Sequence, residues 1–225
     1  MTTWRHRMRR LRRPALLGTL RRTRPLSAVW GRDRGTPVDR WYIESFLGEH
    51  ATDVRGRVLE VLDATYARRF GGDQLASVDV LDIDASNAQA TIIADLQQAD
   101  GVPDASFDTI ILTQVLQFLA DPRRGLAESW RLLAPGGTLL LTVPTVSRLS
   151  PRTAEADMWR FTPAGLRQLA ASLPGASVEV TGRGNVLAAI AFLAGMAIEE
   201  LRPRERTDDP LHPVIVTLRA VKSGG

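Results

Sequence analysis

The chain contains no cysteine, which excludes disulfides, thiolate metal sites and cysteine nucleophiles. Its three histidines are scattered, with no HxxxH or HxxE spacing, so the pattern of a metal site is missing too. No apolar run reaches the ~20 residues that a bilayer span requires. Val186 to Ile198 (VLAAIAFLAGMAI) falls short of it and predicts a buried helix or a homo-oligomer or partner contact. The stretch PALLGTL runs straight into RRTR without a small-residue cleavage site, against a secretory signal. GxGxxG is absent and no proton donor stands out, which argues against a nicotinamide oxidoreductase.

What is present divides sharply by charge. The net +4 splits into +10 for residues 1–34, with eleven Arg and one Asp, and −6 for the remainder. Residues 1–34 read as a mobile basic arm and residues 35–225 as a single domain, since a chain of 225 residues has no room for two large cores. Arginine clusters suit nucleic acid or an anionic membrane. Here no aromatic interleaving accompanies them, so nucleic acid is not the expected partner and a solvated arm is. An Arg-rich, acid-poor arm also suits a transit peptide, and both readings stand beside the expectation of a cytoplasmic protein.

The domain is organised around Arg55 to Gly72, RGRVLEVLDATYARRFGG. Val58, Leu59, Val61 and Leu62 form a near-continuous apolar run broken by Glu60, the pattern of a strand buried on both faces of a parallel sheet. Apolar runs VDVLDI, ATIIADL, DTIILT and GTLLLTV follow, alternating with helical patterns. The fold class predicted is α/β: a Rossmann-like, doubly wound, seven-stranded sheet, mostly parallel. The last run, PVIVTLRAVK, lies beyond a long insertion and predicts an antiparallel final strand.

Between the strands, VDRWYIESFLGEH predicts a helix capped by Thr36 or Asp39, with Tyr42 and Phe46 on one face. ARRF is too short for a full crossover helix and is ended by Gly71-Gly72. FDTIILTQVLQFL predicts a strand followed by a helix. Asp121-Pro122 opens an amphipathic helix through Leu126, Trp130 and Leu133, which Pro135-Gly136-Gly137 stops. Thr162-Pro163 opens another.

In such sheets ligands bind at the carboxyl ends of the strands, where strand order reverses beside the first strand. The turn Asp63 to Tyr66 therefore becomes the floor of a site. Asp82 or Asp84, about 20 residues beyond that turn, suits a ribose diol, and two positions apart on an extended chain they point the same way. Asp95 ends the third run; Thr113 and Gln114 end the fourth. Residues 145–162 have no strong period and exceed the usual loop length. Trp159 and Phe161 within them call for something to pack against.

Strand, short turn, strand ending in Asp, a third strand ending in ADL, then FDTIILTQVLQFLADPRRGLAESWRLLAPGGTLLLTVP: this arrangement resembles the class I S-adenosylmethionine-dependent methyltransferases of the type 11-like kind. RGTPVDRWYIESFL, ARRFGG, ILTQVLQF, WRFTP and GNVLAAIAFLAGMAIEEL look like a bacterial group met near glycosyltransferases, so a biosynthetic role is implied. The resemblance spans roughly residues 31–222. It implies S-adenosyl-L-methionine as cofactor, with Glu60, Leu62, Asp63, Thr65 and Tyr66 around its methionine part. Asp82 or Asp84 would hold the ribose, Asp95 with Leu96 the adenine, and Thr113 with Gln114 the floor beside the sulfonium. Trp159 and Arg160 would fall in the loop over a small-molecule or glycan acceptor. From their own positions, Tyr42 on the first helix and His212 at the start of the final strand are expected on the acceptor side, with His212, then His50, as candidate bases for O-methylation. No metal is implied.

The chain departs from E-x-G-x-G-x-G at the first turn, which reads Glu60-Val61-Leu62-Asp63-Ala64-Thr65-Tyr66 without a glycine. Glycines there let the backbone approach a ligand and turn with positive φ. The degenerate turn implies an alternative of another class, a methyltransferase-like module that binds a partner without catalysis.

Overall fold

The structure is a computed structural model and describes residue 18, residues 21–151 and residues 153–224. Most of the basic arm, residues 1–17, 19 and 20, lies outside the described residues. Strands β1 (Gly56–Val61), β2 (Leu75–Asp82), β3 (Ile92–Ile93), β4 (Phe107–Thr113), β5 (Leu133–Pro144), β6 (Ala176–Arg183) and β7 (Ile215–Lys222) form one sheet in the order β3-β2-β1-β4-β5-β7-β6. β1 to β5 pair in parallel, while β7 runs antiparallel to both β5 and β6. The order reverses between β1 and β4, as expected for a doubly wound α/β sheet.

Alternation along the strands sends side chains to two cores. Leu59, Ile110, Leu112, Leu139 and Leu141 pack against Leu126 and Trp130 of α3 (Pro122–Leu132) and Leu166 of α4 (Pro163–Ala170). Val58, Ile111 and Leu140 point the other way, onto Tyr42 and Phe46 of α1 (Val38–Glu49), Tyr66 of α2 (Thr65–Gly71) and Phe192 of α5 (Val186–Ala194). Each fully buried aliphatic side chain of this kind is worth about 1.5–3 kcal/mol, so β1, shared by both cores, anchors the molecule.

Two helix ends follow their sequence signals: Asp121 Oδ1 accepts from Arg123 N at 2.9 Å and Thr162 Oγ1 from Gly165 N at 3.0 Å. A third cap, which the sequence reading did not single out, is Asn185, whose Oδ1 accepts from Ala188 N at 3.0 Å. Beyond α3, Lys222 Nζ donates to the carbonyls of Trp130 and Leu133, occupying acceptors that a helix end leaves open.

Other elements differ from the sequence pattern. Neither Thr36 nor Asp39 caps α1: Pro37 is the cap position, and the Thr36 amide is bound by Glu199 instead. β3 is only two residues long and pairs with β2 alone, and Asp95 then bridges to Gln98. The segment after β4 makes a single 3-10 turn, Leu116–Phe118. α3 stops at Leu132, before Pro135-Gly136-Gly137, which falls inside β5. The apolar run 186–198 is not one helix, for Gly195 ends it in the left-handed region at φ 75°. Residues 26–34, grouped by charge with the arm, pack onto the domain: Leu26 N donates to Ala194 O, and Arg34 pairs with Glu200.

Candidate active site

The carboxyl ends of β1, β2, β3 and β4 meet at one edge, and the turn after β1 sets its shape. Leu62 adopts φ 78°, a conformation that costs a non-glycine residue roughly 1–2 kcal/mol. Two bonds hold it there: Leu62 N donates to Leu81 O at 3.0 Å, and Leu62 O accepts from Asn87 Nδ2 at 2.7 Å. The backbone corner that glycine usually makes is therefore kept by a leucine. Its side chain does not plug the interior; it is 62% exposed and stands out over the edge.

Glu60 lies beneath the turn and is buried. Its Oε2 accepts from Ala67 N at 2.8 Å and its Oε1 from Tyr66 N at 3.2 Å. Burial pushes its pKa up to about 7, against the two amide bonds that favour the charged form. Asp63 Oδ1 takes the Thr65 amide at 2.8 Å. The first amides of α2 are thus consumed by the chain's own carboxylates. Glu60 acts as the brace of the turn and offers no free surface to a ligand.

At the end of β2, Asp82 is nearly buried, with Oδ1 accepting from Asp84 N at 3.0 Å and Oδ2 from Asn87 Nδ2 at 2.7 Å. Asn87 therefore stitches the first turn to the second strand. Asp84 does not share Asp82's direction: the chain leaves the strand after Asp82, and the Asp84 carboxylate turns to the Ser86 amide. Asp95, across the β2–β3 pair, is covered by Gln97, whose Nε2 lies 3.1 Å from Oδ2, while Gln97 Oε1 accepts from Asp121 N. Leu96 is buried, so it can present only backbone or an apolar wall.

Thr113 and Gln114 stand half-buried at the end of β4. Gln114 has φ 57° and donates its amide to Thr142 O. Behind it, Gln117 is 5% exposed and its Oε1 meets no partner, one of the few such atoms among the described residues. Residues 158–161 of the long loop close over this corner. Trp159 Nε1 donates to Leu119 O at 2.8 Å, Met158 N to Gln117 O and Phe161 N to Pro144 O. Arg160 pairs with Asp157 at 3.0 Å.

Three sequence candidates fall away from open surface. Tyr42 is buried at 2% exposure, with its hydroxyl donated to Arg206 O, because α1 turns the Tyr42–Phe46 face inward. Tyr66 is likewise buried, its hydroxyl taken by Arg40. His50 ends α1 ahead of the amino end of β1, beside Asp53, at the opposite edge of the sheet. His212 precedes β7, whose start lies opposite Pro144 and Arg183 at the carboxyl end of β5, and its Nδ1 is 2.8 Å from Asp209 Oδ2. Sequence reading missed Asn87, Gln97 and Gln117, whose roles arise from contacts between segments.

The residues present fit a nucleoside better than an amino-acid tail. Two strand-end carboxylates, Asp82 and Asp95, face one edge with acceptor positions remaining, since a carboxylate can take about four hydrogen bonds. The exposed Leu62 occupies ground beside the turn. The described residues include no cluster of His, Asp or Glu that could hold a metal ion, and no helix long and apolar enough to cross a membrane.

The family model described as a methyltransferase domain matches residues 55–141. A probable S-adenosylmethionine-dependent methyltransferase of Mycolicibacterium smegmatis is 29% identical over 104 residues, 41% of this chain and 40% of that protein. The chain thus aligns with well under half the length of that curated relative. Among solved structures, a SAM-dependent methyltransferase from Archaeoglobus fulgidus superposes with TM-score 0.53 at 14% identity, covering 81% of this chain and 94% of that one. The 4+2 cyclase SpnF reaches TM-score 0.56 at 17% identity, covering 85% and 84%. These two likenesses establish a shared fold; the second protein is described as a cyclase.

Proposed function

We propose that this chain, whose residues 55–141 match a methyltransferase domain model, is a class I S-adenosylmethionine-dependent methyltransferase that transfers a methyl group from that cofactor to a hydroxyl oxygen of a small-molecule or glycan acceptor. One observation supports the reading above others: Asp82, at the end of β2, is stitched by Asn87 to the left-handed corner at Leu62, beside the point where the strand order reverses.

When bound, S-adenosylmethionine supplies an electrophilic methyl carbon on a sulfonium. The chain's own residues bind and orient. Asp82, held by Asn87, accepts from the ribose hydroxyls. Asp95 and the backbone of Leu96 bound the adenine. Glu60 keeps the turn in shape through the Tyr66 and Ala67 amides. Thr113 and Gln114 line the floor, and the loop bearing Trp159 and Arg160 excludes water over the acceptor.

In-line displacement depends mainly on holding nucleophile and methyl carbon in contact, and a hydroxyl acceptor gains further from a base. With Nδ1 held by Asp209, His212 is left with Nε2 to take the acceptor's proton, and the carboxylate steadies the imidazolium that forms. A second reading, a partner-binding module without catalysis, is favoured by the side chain of Leu62 at the turn.

Titration calorimetry with S-adenosylhomocysteine, on the parent and on Leu62→Gly, separates the two. The methyltransferase reading expects heat from the parent and several-fold tighter binding by Leu62→Gly, which keeps the positive φ without the side chain. Absence of heat from both at millimolar ligand overturns it and leaves the module.

A further inference from the structure

The solvent face of α5 is apolar from end to end. Val186–Ala194 contains no polar or charged side chain and buries only one side. Ala188, Ala191 and Phe192 are within the core, whereas Val186, Leu187, Ile190 and Leu193 are 40–52% exposed. At 100° per residue these four occupy an arc of about 120°, a continuous stripe. A contiguous exposed apolar face marks an interaction site.

The carboxyl end of the stripe adjoins the basic segment. Leu26 N donates to Ala194 O at 2.7 Å. Ser27 is buried against Gly195, where an added Cβ would come within 2.7 Å of the Ser27 carbonyl oxygen. Just upstream, Arg21, Arg22 and Arg24 are exposed. The first 24 residues hold nine Arg and neither Asp nor Glu.

We propose that α5 and the adjoining arginines dock the protein on an anionic lipid surface. Apolar side chains on a surface helix settle into the headgroup boundary, and flanking cations add attraction to acidic lipid. Other occupants satisfy half of the feature. Nucleic acid would engage the arginines and leave the stripe uncovered. A second copy of α5 would cover the stripe but bring no acid to the arginines, since neither α5 nor residues 21–30 contain one.

The test is co-sedimentation of the full chain with vesicles of phosphatidylcholine containing about one quarter phosphatidylglycerol, against phosphatidylcholine alone. Binding is expected on the anionic vesicles and not on the neutral ones. Arg21→Gln, Arg22→Gln and Arg24→Gln should each weaken it about fivefold, an effect that added salt erases. The pair Leu187→Ser and Ile190→Ser should weaken it roughly tenfold at any salt, with circular dichroism unchanged. Equal binding to both vesicles, or none, overturns the proposal. So does binding indifferent to the serine pair alongside an arginine-dependent shift of duplex DNA, or a lipid-free dimer in ultracentrifugation that Ile190→Ser abolishes.

Discussion

Glu60 is the residue on which the first turn depends, and its environment makes a pH prediction. It is buried, yet it braces two amides of α2. Its folded pKa of about 7 lies above the ordinary value of a glutamate in an unfolded chain, about 4.3. A raised carboxylate pKa means that the folded state binds the proton more tightly. The associated stability is full below about pH 4.3 and is lost as pH rises through 7, in all on the order of 3 kcal/mol. Chemical denaturation between pH 5 and 8.5 should therefore show the parent losing stability with rising pH while Glu60→Gln changes little over that window. Parallel curves would mean that the two amide bonds offset the burial and that Glu60 is ionised as easily as in the unfolded chain. The carboxylate was legible in the sequence as the one break in an apolar strand. Its role was not, because the amides it holds belong to the next element. Leu62 is the converse: the missing glycine was plain, but only the backbone shows the corner retained at φ 78°.

At the scale of elements, strands and caps with a local cause were readable. Asp121 and Thr162 both accept amides in the turn they open. Elements whose extent depends on a neighbour were not: β3 keeps only the two residues that pair with β2, and α5 ends where Gly195 makes room for Ser27. The 145–162 loop was readable as a cover from its length and aromatics, though its anchor was not. That anchor is the indole of Trp159 on the Leu119 carbonyl, together with backbone bonds at Met158 and Phe161. Replacing Trp159 by Ala removes one bond of roughly 1 kcal/mol and the ring that shields it. Hydrogen exchange over residues 145–162 should speed up about fivefold, while exchange in β1 and the affinity for S-adenosylhomocysteine stay within twofold of the parent. A loop unaffected by the change would show that Trp159 is not its clasp.

For the whole molecule, the matched segment 55–141 is less than a folding unit. It holds β1 to β4, most of β5, α2 and α3. It lacks β7, which pairs with β5 from Thr138↔Val221 to Pro144↔Ile215, and so leaves β5 as a bare edge. It also lacks α1 and α5, whose Tyr42, Phe46, Leu47 and Phe192 cover Val58, Ile111 and Leu140. Re-exposing those three aliphatic side chains alone costs about 5–9 kcal/mol, comparable to the whole stability of a typical domain. A polypeptide of residues 55–141 should therefore give collapsed amide dispersion by NMR and no heat with S-adenosylhomocysteine, under conditions where the full chain unfolds cooperatively. A folded fragment would mean that β5 tolerates an open edge and that one core suffices. If the fragment is unfolded, the site at the β1–β4 edge exists only because elements outside the matched segment hold the sheet from both sides. The α1–α5 layer that completes the second core is then also the layer whose outer face carries the exposed apolar stripe, which ties that surface to the site through one shared core.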